Sequence, residues 1–172
     1  QTFCGGDPPH HAAPPSAYRV TLEGEDAAVA VGVALAERLG HPWTRIATAA
    51  KAAYHAAAVV ASNYLVAVLD AAETILVAAG FTGPEARAAL APLAQAALTN
   101  TQTLGPKQAL TGPVVRGDAL VVAHHLKSLG AMTPQLVDLY RSLGRHALAM
   151  AAEARGEHGS DAELARLFTP EK

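Results

Sequence analysis

Residues 48–79 run for about thirty positions without a glycine or a proline, and alanine, valine and leucine fill most of them. Alanine is the best helix former and a poor strand former, so this run predicts one helix about 45 Å long at about 1.5 Å per residue. Gly80 is a natural stop for it. A helix that long, apolar around about two thirds of its surface, needs neighbours on several sides. The remaining composition agrees with packed helices: 51% of the 172 residues are hydrophobic and only 5% aromatic. The length is enough to bury a proper core.

The most apolar stretch, residues 56–81, is interrupted by Ser62, Asn63, Asp70 and Glu73. Two carboxylates are costly in a bilayer, so the stretch is expected to be a buried helix with no membrane partner. A net charge of −2 offers no electrostatic footprint for nucleic acid. Cys4 is the one cysteine, so no intrachain disulfide can form. The opening Gln-Thr-Phe-Cys has neither a Met nor a signal pattern, and reads as the middle of a longer gene product.

Residues 5–16, with four prolines and two glycines, predict an irregular loop. Residues 18–23 alternate as a strand, a helix follows over 25–39, and 43–46 form a short extended piece. That is one βαβ-like unit, too small to cover both faces of a sheet, hence part of something larger. Beyond the long helix, further helices are expected over 84–100, with Pro92 a kink, over 107–110, from the cap Asp118 to Gly130, and from Thr133-Pro134 to Ala154. The last dozen residues are polar, with one short helix over 162–168.

On an ideal helical wheel with Lys51 at zero, Ser62 falls at about 20°, His55 and Glu73 at about 40°, Asp70 at about 100° and Asn63 at about 120°. A polar stripe of this kind is either a solvated face or the lining of a cleft, and the sequence leaves both open. The segment Leu110-Thr111-Gly112-Pro113-Val114-Val115-Arg116-Gly117-Asp118 is a tight connection between helices. Its amides could face a ligand and Arg116 could clamp a carboxylate or phosphate, although an ordinary loop with Arg116 in solvent satisfies the same residues. The histidine pairs His10-His11 and His124-His125 lack the spacing of three or four residues that a helical metal site needs, so no metal is expected. No GxGxxG or Walker-type loop occurs.

The pattern Lys51-Ala-Ala-Tyr54-His55, then Ser62-Asn63-Tyr64-Leu65, followed by Leu110-Thr111-Gly112-Pro113 and Arg116-Gly117-Asp118, resembles the C-terminal domain, of unassigned function, in a family of Rossmann-like oxidoreductases. The resemblance covers nearly the whole chain. It implies a mainly α fold: a helical domain like the C-terminal domain of 6-phosphogluconate dehydrogenase over residues 48–172. Residues 1–47 would be a βαβ remnant of a Rossmann-like nucleotide-binding domain. The wider superfamily includes 3-hydroxyisobutyrate dehydrogenase, ketopantoate reductase and pyrroline-5-carboxylate reductase. In several of these a lysine on the first long helix acts on the substrate oxygen, with an asparagine one turn later. Lys51 matches that lysine, whereas the one-turn position holds His55, and Asn63 could supply the amide.

What the resemblance implies is a cytoplasmic homodimer, joined through the long helices, that transfers hydride from NADP(H) to a small carbonyl or imine substrate, in the manner of a ketopantoate reductase. Lys51, His55 and Asn63 would be catalytic, and Ser62, Thr111, Gly112 and Arg116 would bind substrate. NADP would be bound mainly by a preceding domain, so that this chain alone would be inactive. The rival expectation is a non-catalytic helical dimerisation or binding module that kept the fold and lost the chemistry.

Overall fold

The computed structural model describes residues 18–156 and 158–170. Cys4, the His10-His11 pair and the proline-rich loop of residues 5–16 therefore lie outside the described residues. The chain is mainly helical, at 78% helix, with one short parallel sheet near the N-terminus. It divides into two compact units, Gln1–Tyr64 and Leu65–Lys172. The division falls inside the long helical run.

In the first unit, β1 (Val20–Leu22) and β2 (Trp43–Arg45) pair in parallel, Val20 opposite Trp43 and Leu22 opposite Arg45. Parallel strands need a crossover, and α1 (Asp26–Arg38) supplies it. Val29 and Ala36 are its buried residues, and a side chain at Gly32 would meet the tip of Leu22 at 2.8 Å. Gly32 thus lets the helix lie close to the strand. Val31 and Leu35 on another face of α1, and Leu39 just past its end, are spaced by four and remain exposed.

A short 3-10 turn (Thr48–Ala50) leads into α2 (Lys51–Val59), then a π-helical turn (Val60–Tyr64), with α3 (Leu65–Ala78) following in the second unit. The helical run Thr48–Ala78, with a mean hydropathy of 1.5, is long and apolar enough to cross a membrane by those two measures alone. The buried helix expected from the sequence is not found within one chain. Tyr54, Val60, Tyr64 and Val66 are all at least 49% exposed, and Ala71 is the one fully buried residue along α2 and α3.

In the second unit, α4 (Gly83–Leu104) begins where the Glu85 carboxylate accepts from both the backbone N–H and the hydroxyl of Thr82, at 2.9 and 2.6 Å. It runs on through Pro92, whose missing N–H removes one bond of the ladder. Two one-turn helices, α5 (Pro106–Ala109) and α6 (Pro113–Arg116), precede α7 (Ala119–Met132). Asp118 caps α7 as expected, accepting from the Val121 N–H at 3.2 Å. A 3-10 turn (Pro134–Leu136) opens α8 (Val137–Arg155), and α9 (Asp161–Phe168) ends the described chain.

The core of this unit joins Ala119 and Val122 of α7 to Leu164 and Phe168 of α9, with Tyr140 and Leu148 of α8 packed against them. Phe168 and Leu164 are fully buried. Gly144 makes room for the Phe168 ring, because a Cβ there would overlap it. Arg141 and Arg145 of α8 then donate to the Leu167 and Phe168 carbonyls, at 3.3 and 2.5 Å, satisfying acceptors left open at the end of α9. Tyr140, half-buried beside this cluster, has its phenol pushed above the ordinary range by burial. Its hydroxyl meets His125 Nδ1 at 2.8 Å.

Two outcomes follow from this packing. Phe168→Ala should cost about 3–5 kcal/mol in urea unfolding. Gly144→Ala should also destabilise, by about 1–3 kcal/mol, despite the better helix propensity of alanine. The second concerns acid. The Asp161 carboxyl is held below its usual range, first by hydrogen bonding to Arg155 and then by the His158 N–H. A lowered native value stabilises the fold above the unfolded value, and that gain is lost as pH falls through the native one. The wild type should therefore lose stability below about pH 4, and Asp161→Asn should be less stable at pH 7 but lose less between about pH 5 and pH 2. Urea titrations across that range would measure both.

Candidate functional site

Lys51 opens α2, and its ammonium pairs with Glu23 at 3.0 Å. Glu23 is the residue just after β1, so the pair lies at the carboxyl end of the parallel strands. That is the edge at which open parallel sheets bind their ligands. The Glu23 side chain is only 21% exposed, whereas that of Lys51 is 70% exposed. The Lys51 hydrogen bond holds the Glu23 carboxyl below the usual range, helped by the Thr48 side chain and by the lysine charge. His55 follows one turn later on the same face of α2, exposed to solvent.

Ser62 and Asn63 lie in the π-helical turn Val60–Tyr64. Such single π turns recur at functional sites because they re-aim side chains out of the regular helical register. Ser62 Oγ lies 2.6 Å from the Ala58 carbonyl and 2.9 Å from Asn63 Oδ1. Its one proton serves one acceptor at a time. With Oδ1 of Asn63 facing this hydroxyl, the amide NH₂ is the side of Asn63 left to donate. The π turn also breaks the regular advance per residue on which the polar stripe was drawn, so that stripe does not extend as a single line beyond Val59.

Thr111, Gly112 and Arg116 belong to the second unit. Gly112 and Gly117 both have positive φ, +97° and +72°, and flank the one-turn helix Pro113–Arg116. Side chains are strained in that conformation, which accounts for glycine at both ends of the turn. Arg116 is exposed and has no hydrogen-bond or ion-pair partner among the described residues. Two open clefts of this unit hold none of the candidate residues. One of about 580 Å³ opens beside Lys127, Arg141 and Arg166, and one of about 650 Å³ beside Arg145, His158 and Asp161.

The sequence reading passed over Glu23, Thr48 and Arg155. Glu23 carries a usable signal, a lone carboxylate followed by glycine at the end of a strand. Nothing in the sequence pairs Arg155 with Val115, forty residues earlier.

The turn between β1 and α1 does not fit a nucleotide phosphate, because it carries Glu23, Glu25 and Asp26. A pyrophosphate needs free N–H groups and a positive field at a helix start, and these carboxylates oppose it. Asp26 is itself engaged by Arg45 at 2.7 Å. Among the described residues, no three His, Cys, Asp or Glu side chains converge as a metal site.

No curated protein and no solved structure gave a significant match to this chain. One family does match, over residues 18–147, which takes in the β1–β2 pair, the Lys51 helix and the loop of residues 111–118. It is described only as a domain of unknown function, DUF2520, and this chain belongs to that family.

Proposed function

We propose that the chain is the helical substrate-binding and dimerisation part of an NADP-dependent oxidoreductase acting on a small carbonyl or imine compound. The observation that carries this reading is the Lys51–Glu23 pair at the carboxyl end of the parallel strands. Lys51 opens the long helix there, as the lysine does in the superfamily that the sequence resembles. A lysine can serve as a general acid, because reduction of a carbonyl leaves charge on its oxygen that a proton must meet. On this reading Lys51 or His55 donates that proton, and the Asn63 NH₂ orients the oxygen. Ser62 fixes Asn63. Within the second unit, Arg116, with the Thr111 and Gly112 backbone, takes a substrate carboxylate. The nucleotide is bound by a domain outside these residues, because the acidic β1–α1 turn does not suit it.

A second reading has an observation in its favour. Lys51 is largely exposed, and the clefts described above lie elsewhere. Both facts suit a non-catalytic assembly module built on the same helices.

Two experiments separate these readings. Calorimetric titration of NADPH into this chain should give no binding, and a micromolar dissociation constant would sink the division of labour proposed here. In a longer natural protein that carries a nucleotide-binding domain, NADPH-dependent reduction of small 2-oxo acids should be measurable. Lys51→Met should lower its kcat by about 10²–10⁴-fold. Undiminished turnover in that variant would remove Lys51 from the chemistry, and no turnover with any carbonyl acid would favour the assembly module.

The exposed apolar residues of α2 and α3 support a homodimer formed through the long helices. An obligate interface of this type buries roughly 2,000 Å² or more. Sedimentation of the purified chain should show a dimer at micromolar concentration. A stable monomer in buffer, or recovery only with detergent or vesicles, would overturn it.

A further inference from the structure

We infer that Arg155 and Asp161 are positioning residues for the loop of residues 111–118, fixing its backbone on both sides of Arg116 so that the exposed guanidinium is presented to a small carboxylate. This rests on the reading above that Arg116 takes the substrate carboxylate, and it adds what holds that arginine in place.

Arg155, the last residue of α8, donates from Nε to the Val115 carbonyl at 3.1 Å. The rest of its guanidinium is turned to Asp161, with Nη1 and Nη2 at 3.2 and 2.7 Å from the two carboxylate oxygens. Nη1 also donates to the Gly156 carbonyl at 2.8 Å. Both side chains are mostly buried, at 21% and 19% exposed. Asp161 is fixed in turn by the His158 N–H at 2.8 Å. A planar fork used in this way defines direction as well as distance, which a lysine cannot do.

The other side of Arg116 is held by shape. Gly117, with φ at +72°, lies against the Ser160 hydroxyl and the His158 ring, which leave no room for a Cβ. His158 Nδ1 and Ser160 Oγ are themselves 2.8 Å apart. Within the turn, the Gly117 N–H bonds the Val114 carbonyl and the Asp118 N–H bonds the Pro113 carbonyl, at 3.1 and 2.8 Å. Arg116 thus sits between two anchored neighbours, Val115 and Gly117. An anchored backbone lowers the ordering cost when a flexible arginine takes a ligand, and that saving appears as affinity. These anchors come from residues 155–161, beyond the stretch that the family match covers.

The test uses the whole chain, amide hydrogen exchange and 2-oxoisovalerate as the carboxylate probe, with binding followed at the Arg116 Nε resonance. Asp161→Asn and Arg155→Lys should each quicken exchange of the amides at 114–117 at least tenfold more than that of α4. Each should also weaken 2-oxoisovalerate binding about tenfold. Arg116→Gln should abolish binding and leave exchange unchanged. Arg155→Lys keeps the charge, so it carries the test if Asp161→Asn fails to fold. Wild-type exchange and affinity in both positioning variants would overturn the proposal. Failure of the wild type to bind the probe at Arg116, with faster loop exchange still seen in the variants, would instead overturn the carboxylate reading of Arg116. The clamp would then be structural only, and the positioning role would fall with it.

Discussion

The second unit depends on the placement of the Phe168 ring over the bare backbone of Gly144. That contact lets α8 and α9 approach closely enough for Arg141 and Arg145 to reach the last carbonyls of α9. It also fixes where α9 begins, and so where Asp161 meets Arg155. The loop of residues 111–118 inherits its position from that meeting through the Val115 carbonyl. A packing event at one end of a short helix is in this way transmitted to the loop proposed to bind a carboxylate. Each step is short, because every partner is a backbone carbonyl or a neighbouring carboxylate.

The long helical run poses the opposite problem. It has the length and apolarity of a core helix, yet the chain leaves most of its large apolar side chains in water. Burying one such side chain is worth about 1.5–3 kcal/mol, so Tyr54, Val60, Tyr64 and Val66 together represent a large uncollected stabilisation. Isolated large apolar residues on a surface are ordinary, but several together on one helical run make a candidate interaction surface. Val31 and Leu35 of α1, with Leu39 just past its end, make a second exposed apolar row. A sheet of only two parallel strands is also unusual, since parallel sheets normally have both faces covered.

Much of the fold was legible because its punctuation is local. Asp118 and Thr133-Pro134 mark helix starts, and Gly80 marks a break, wherever those residues stand in the chain. The βαβ order was legible from a change of period between residues 18 and 46. What failed was whatever depends on distant partners. The last residues look polar, yet Leu164 and Phe168 are the most deeply buried large side chains, because a short amphipathic helix needs only two good positions. The π turn at Ser62-Asn63 was invisible to a wheel that assumes a constant advance per residue. The candidate residues were found by type and by resemblance; the partners that orient them, Glu23 and Arg155, were not, since neither lies near its partner in sequence.

On the oxidoreductase reading proposed above, the charge arrangement around β1 bears on which half of the reaction these residues would serve. A turn bearing Glu23, Glu25 and Asp26 repels phosphate, while Glu23 gives the Lys51 ammonium a partner at 3.0 Å. Glu23 supplies that counter-charge from a mostly buried position and shares it with Thr48, so the carboxylate is held in place and does not wander in solvent. The pair is weak as a stabiliser of the fold, because Lys51 is largely exposed and water screens it. Its value is directional. It ties a flexible side chain to the sheet edge.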